Sequence, residues 1–198
     1  SISFEIDGTQ DIMATAGQEN KNKNEKFTDF KFEHKLAQLA FTIAAGASTT
    51  LADVTNAYGK VTKIVVLNQP KNFTLTLAKE PTFGIKSGES STSEVILKST
   101  NDTDITEQEL SVSAVPFGGA MMIYPNVTNS EISIKIYTKN FTEGIDVTVK
   151  LTFKDSSKTN LEASKKYTIA LSFAPTVITS TASVGEWNDG GNGNGSIN

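Results

Sequence analysis

From Ile145 to Lys154 the chain alternates apolar and polar residues without a break. Ile145, Val147, Val149, Leu151 and Phe153 take one parity, and Asp146, Thr148, Lys150, Thr152 and Lys154 take the other. A period of two sends successive side chains to opposite sides of an extended backbone, so this run reads as a half-buried β-strand. Just before it, Ile132, Ile134 and Ile136 alternate with Glu131, Ser133, Lys135 and Tyr137, and Asn140 to Gly144 supply a short Gly-containing turn. The two runs form an antiparallel hairpin. Tyr167, Ile169, Leu171 and Phe173 repeat the pattern against Thr168, Ala170 and Ser172, after which the chain passes Val184 and Trp187 into Gly and Asn. A dry inner face and a wet outer one suit a sandwich rather than an enzyme cleft.

The rest of the chain reads the same way. Ile2, Phe4 and Ile6 alternate with polar residues up to the Asp7-Gly8 turn signal, and a polar, solvated loop covers Gly17 to Lys26. Phe30, Phe32, His34 and Leu36 share one face, yet Leu39, Phe41 and Ile43 share the opposite parity. The slip predicts a β-bulge or a single helical turn between His34 and Gln38. Val61 to Leu67, with Ile64, Val65 and Val66, is a central strand covered on both faces. A turn over Asn68 to Asn72 leads to a return strand at Phe73, Leu75 and Leu77, and Val95 to Leu97 is another strand. Leu110, Val112 and Ala114 lead through Pro116 to a Phe117-Gly118-Gly119 corner, and Met121 to Tyr124 is a brief strand. No stretch supports a helix longer than two turns. About twelve strands separated by turn signals give an all-β sandwich. The polar, acidic stretch from Lys98 to Glu109 is the place for a domain boundary. It divides an N-terminal β-sandwich over residues 1–105, read as incomplete, from a C-terminal one over 106–198 that ends in the Gly/Asn-rich tail.

Composition removes several function classes. The 198 residues carry a net charge of -4, and the absence of a cluster of basic residues interleaved with aromatics is expected to set nucleic acid aside as a partner. All eighteen basic residues are Lys, so the bidentate guanidinium fork is missing. That is either compositional bias or a surface with nothing for an Arg-specific protease to cut. With no cysteine there is no disulfide, thiolate metal site or Cys nucleophile. No apolar run approaches the roughly 20 residues of a membrane-spanning helix.

The sequence points to no catalytic residue, no metal site and no cofactor. His34 is the only histidine, and it reads as a structural residue whose ring bonds backbone near the register slip. Asp102, Asp104 and Glu107 lack the Gly and ligand spacing of a calcium loop and read as a solvated inter-domain loop. Trp187 reads as a core or inter-domain plug, with sugar stacking as the other role for it. Asn72, Asn101, Asn126 and Asn140 each head an Asn-x-Thr triplet, in a chain so rich in Thr that chance accounts for them.

Asp11-Ile-Met-Ala-Thr15, Phe32-x-His34-x-Leu36-Ala37-Gln38-Leu39-x-Phe41, Tyr167-Thr-Ile169-x-Leu171 and Val184-Gly-Glu-Trp187 together resemble the fimbrillin family of Bacteroidales, the fimbrial antigen proteins of type V pili. The resemblance spans about residue 11 to residue 189 and rests on the order and spacing of the pieces. It implies antiparallel Greek-key, transthyretin-like β-sandwiches, two in tandem. It also implies a non-catalytic structural subunit of a cell-surface fimbrium that polymerises by β-strand exchange with other fimbrial subunits and supports adhesion to a host or bacterial surface. Export as a lipoprotein implies outer-membrane association through a lipid anchor upstream of Ser1. The lipidated Cys and Arg processing site of the family are not in this sequence, nor is much of the region that precedes the Asp11 segment in the family.

An open sheet edge is a template for a strand from another subunit. The candidate exchange segments are therefore the outermost strands, Ser1 to Ile6, with Ile2 and Phe4 between them, and Val177 to Trp187, with Ile178 and Val184. The tail from Asn188 to Asn198 reads either as a hinge for a donor segment or as a frayed end. The alternative function is a carbohydrate-binding surface lipoprotein. It requires a flat, exposed aromatic platform built from Tyr58, Tyr124, Tyr137 or Trp187.

Overall fold

The computed structural model describes residues 1–125, 130–151, 153 and 159–186. Thirteen strands and one short helix are assigned among them: β1 (Ile2–Glu5), β2 (Met13–Ala14), β3 (Glu33–His34), β4 (Ala37–Ala45), α1 (Leu51–Tyr58), β5 (Val61–Pro70), β6 (Asn72–Thr76), β7 (Thr82–Ile85), β8 (Thr92–Ile96), β9 (Val115–Ile123), β10 (Glu131–Thr138), β11 (Ile145–Lys150), β12 (Lys165–Ala174) and β13 (Val177–Glu186). No helix among these residues is long and apolar enough to cross a membrane.

Two four-stranded sheets, β11-β10-β5-β8 and β13-β12-β4-β9, enclose the larger core. The predicted hairpin forms as β10 and β11, with Ile134 opposite Val147 and Ile136 opposite Ile145. Its inner residues Ile132, Ile134 and Ile136 meet Leu39, Phe41, Ile43, Ile169, Leu171 and Phe173 from the facing sheet. The alternation is visible in the sequence because each of these strands buries one face alone. β5 is central as expected, and Ile64, Val65 and Val66 are all fully buried.

The smaller core belongs to the three-stranded sheet β1-β6-β7 and the two-stranded ladder β2-β3. Ile6, Ile12, Leu36 and Phe73 are buried there, with Phe4, Phe83, Met122 and Tyr124 packed around them.

Several expectations are corrected. The boundary at residue 105 does not sort the strands: β5 pairs with β10, and β4 pairs with both β9 and β12, so each large sheet draws on both sides of it. One ladder is parallel, with β4 and β12 aligned from Gln38 opposite Lys166 to Ala45 opposite Phe173. Phe73 to Thr76 does not return along β5; it joins β1 and β7 in another sheet. At the register slip there is neither bulge nor helical turn. The chain bends at Leu36 between two ladders, so Leu36 enters the smaller core and the next residue, Ala37, enters the larger one. Phe30 and Phe32 form no strand and stand in solvent. The Gly118-Gly119 corner is an irregularity inside the continuous strand β9, where the register with β4 shifts between Ala40 and Phe41.

The helix follows local signals. The Thr50 side chain accepts from the Asp53 N–H at 3.2 Å, and Gly59 closes the last turn at φ 68°. Val54 and Tyr58, four apart on one face, are buried. The Tyr58 hydroxyl donates to the Ala174 carbonyl at 2.8 Å, fastening the helix to the end of β12.

Candidate functional site

β1 and β13 are each at the margin of their sheet. β1 pairs only with β6, over four residues from Ile2 opposite Leu75 to Glu5 opposite Asn72. The Ser1 hydroxyl lies 3.0 Å from that of Thr76, and Glu5 forms an exposed ion pair with Lys71 at 2.8 Å that raises the Lys71 pKa. Ile2 is 45% exposed, Phe4 rests edge-on against Phe83 at 6.5 Å between ring centres, and Ile6 is buried just beyond the strand. The alternation of Ile2, Phe4 and Ile6 therefore marks increasing burial along a short strand held by few backbone bonds.

β13 is held far more firmly. It runs in register with β12 for ten residues, from Ala174 opposite Val177 to Lys165 opposite Glu186. Ile178, Ala182 and Val184 are partly buried against the larger core, whereas Val177 at the turn is exposed. Its inward face is shallow beside that of β12, where Tyr167, Ile169, Leu171 and Phe173 are buried. β13 also lies against β11, the margin of the opposite sheet. The two candidate segments are not brought together: β1 borders the smaller core and β13 the larger. Trp187 lies outside the described residues, as do Asn126 and the Gly/Asn-rich tail.

The remaining candidates have structural partners. His34 is buried, and its Nδ1 lies 2.7 Å from Asp11 Oδ2, so one side of its ring meets a carboxylate. The acidic stretch is largely exposed, as expected of a solvated loop, and it is tied to the strands beside it. Asp104 pairs with Lys98 at 2.7 Å, Glu107 bridges Lys60 and Lys139, and Gln108 forms a backbone bridge to Val61. Lysine bonding lowers the pKa of Asp104 and of Glu107, which keeps these carboxylates in ion pairs. Two of the Asn-x-Thr amides are in use: Asn72 donates to Glu89 at 2.8 Å, and Asn140 donates to the Asn56 and Ala57 carbonyls at 3.0 and 3.1 Å.

The tyrosines do not make the platform that carbohydrate binding requires. Tyr58 is buried, and burial raises its pKa. Tyr124 packs against Phe73 with ring centres 4.9 Å apart, and Lys63 Nζ lies 3.9 Å above the Tyr137 ring. Tyr58, Tyr124 and Tyr137 therefore do not supply the platform that this alternative was expected to use.

The fimbrillin-like family model matches residues 8–187. Among solved structures, a proposed cell adhesion protein from Bacteroides uniformis is 19% identical, with a TM-score of 0.62 over 94% of this chain and 66% of that one. Another from Bacteroides ovatus is 15% identical, with a TM-score of 0.52 over 93% of this chain and 63% of that one. A third, from Parabacteroides distasonis, is 9% identical, with a TM-score of 0.51 over 82% and 55%. At these identities the likeness is one of fold, and the chain spans less than two thirds of each structure's length. No curated protein matches the chain.

Proposed function

The chain belongs to the fimbrillin-like family, and from that premise we propose that it is a non-catalytic structural subunit of a cell-surface fimbrium. It polymerises by exchanging a β-strand with neighbouring subunits and supports adhesion. The observation that carries this reading is the marginal position of β13, a ten-residue strand paired on one edge with a shallow apolar face. A ladder of that length is a template that an equivalent strand from a neighbouring subunit can fill in place of β13, with main-chain hydrogen bonds supplying most of the binding. β1, with four paired residues, is the second candidate.

In this reading the eight strands of the two larger sheets are one transthyretin-like sandwich, and β1-β6-β7 with β2-β3 is part of the other. The partners are other fimbrial subunits, and attachment to the outer membrane through an upstream lipid anchor belongs to the same proposal.

The test is a labelled peptide copying Val177 to Trp187, offered to the intact chain and to a chain ending at Thr176. Strand exchange predicts stable uptake by the shortened chain and slow uptake by the intact one. No uptake by a shortened chain that keeps its β-sheet circular dichroism would sink the proposal.

A further inference from the structure

Most lysines that touch the body of the protein are paired: Lys35 with Glu33, Lys71 with Glu5, Lys98 with Asp104, Lys135 with Asp146, and Lys60 and Lys139 with Glu107. Lys21, Lys23, Lys26 and Lys31 form no ion pair among the described residues, and they interleave with Phe27, Phe30 and Phe32. Basic residues and aromatics therefore do interleave in this chain, contrary to expectation, over residues 21–32. Phe27, Phe30 and Phe32 are 62%, 47% and 56% exposed, and apolar side chains exposed together and rimmed by charge mark an interaction surface.

The segment is built rather than merely unstructured. Gln18 clasps Thr28 through two bonds, its Nε2 donating to the Thr28 carbonyl at 3.0 Å and its Oε1 accepting from the Thr28 N–H at 2.9 Å. Within the clasp, Asn22 Oδ1 accepts from the Asn24 N–H at 2.8 Å, and the Asn22 N–H donates to the Glu25 carbonyl at 2.9 Å. The Gly17 N–H ties the base of the loop to the Lys79 carbonyl at 2.9 Å, two residues beyond the exposed Leu77. The result is a closed loop of the Ω type that holds Phe27 and Phe30 outward with their rings 5.7 Å apart.

We infer that this loop, residues 18–32, is a contact surface for an anionic lipid bilayer. Phenyl groups gain by leaving water for the headgroup–acyl boundary, and lysines on flexible stems reach lipid phosphates while their methylenes stay in the apolar zone. Four lysines against Glu19, Glu25 and Asp29 leave residues 18–32 with one excess positive charge in a chain of net charge -4. That small excess adds to the pull of the four lysine ammonium groups on an anionic surface. It is too small for tracking a phosphate backbone, and an acidic protein partner leaves the exposed phenyl rings without a role. The inference stands apart from strand exchange, since it uses neither β1 nor β13.

The experiment is co-sedimentation of the full chain with phosphatidylcholine vesicles, with and without phosphatidylglycerol. We expect binding to the anionic vesicles, weaker by about tenfold or more on phosphatidylcholine alone and weakened further by salt. Phe27→Ser/Phe30→Ser/Phe32→Ser and Lys21→Gln/Lys23→Gln/Lys26→Gln/Lys31→Gln should each lower binding by about tenfold or more. Replacing the four lysines by Arg should leave binding in place. Because these side chains are exposed, the thermal transition of each variant should be close to that of the parent. Failure to bind anionic vesicles overturns the inference. So does binding that survives the Phe substitutions, or equal binding to polyglutamate, either of which would mark a plain electrostatic patch.

Discussion

His34 Nδ1 lies 2.7 Å from Asp11 Oδ2, with the imidazole buried and the carboxylate partly open to solvent. The contact joins the two N-terminal segments that carry the family resemblance. Around it, Met13 pairs with His34 across the β2-β3 ladder, the Lys35 N–H donates to the Ile12 carbonyl, and the Ser164 hydroxyl donates to the His34 carbonyl. Truncating His34 removes a buried polar ring and one end of the bond. His34→Ala should therefore destabilise the protein by about 1–3 kcal/mol, and Asp11→Asn by less, since its amide still offers an oxygen. Denaturant unfolding of both variants beside the parent checks this, and equal stabilities would make the pair incidental.

Gly118 has φ +72°, and a Cβ built there would lie 2.6 Å from Ile105 Cδ1 and 2.9 Å from the Lys98 carbonyl oxygen. Gly88 has a similar φ of +78° with nothing within 4 Å. Both positions share the left-handed backbone cost of a side chain, about 1 kcal/mol, but only Gly118 adds a clash with backbone. Gly118→Ala should lower stability by roughly twice as much as Gly88→Ala or more. Similar losses at the two sites would show that the loop from Lys98 to Ile105 yields easily.

These cases show what a linear reading can reach. Strands β10, β11 and β12 are legible because each buries alternate residues, and β5 because both its faces are covered. Strand partnership is not legible in that way. Nothing in the spacing of Ala37–Ala45 says that it lies parallel to Lys165–Ala174, because the pairing is settled by which faces share a core. The bend at Leu36 illustrates the same limit: a parity change records that the buried side has switched, and an unseen second core produces the same signal as a bulge. Helix α1 did leave readable marks in Thr50, Asp53 and the Val54/Tyr58 spacing, weaker than the β-pattern around it. Asp11 and His34 each sit in a recognisable segment, yet only the fold brings them into contact. Strands β1 and β13 are legible as the outermost strands of the described chain, while how firmly each is held depends on its ladder.

Asn140 sits in the turn between β10 and β11 and donates to the Asn56 and Ala57 carbonyls in the last turn of α1. Those carbonyls lie where a helix runs out of its own N–H donors, so the side-chain amide does the work of a C-terminal cap supplied from another element. Asn140→Ala should cost about 0.5–1.5 kcal/mol. Thr50→Ala, at the other end of the helix, should cost about 1 kcal/mol. Chemical denaturation of both variants and of the double variant checks the values; the two losses should add, because the ends act on different backbone groups.

Glu89 accepts from the Ser91 hydroxyl, the Ser91 N–H and the Asn72 amide, and these bonds hold its pKa down to about 2 from an ordinary value of 4.5. The folded-state value lies below the unfolded one, so the stabilisation is fully present above about 4.5 and is lost as pH falls towards about 2. Asn72 is opposite Glu5 in the β1-β6 ladder, and its carbonyl accepts from the Lys86 N–H at 3.0 Å. Acid therefore loosens the three-stranded sheet at the residue where β1 is paired. Glu89→Gln should be less stable than the parent at neutral pH and converge with it between pH 4.5 and 2. Unfolding midpoints across that range, with the Ser91 and Asn72 signals followed by NMR, check the expectation. Parallel pH curves for the two proteins would mean that the Glu89 bonds do not survive in solution.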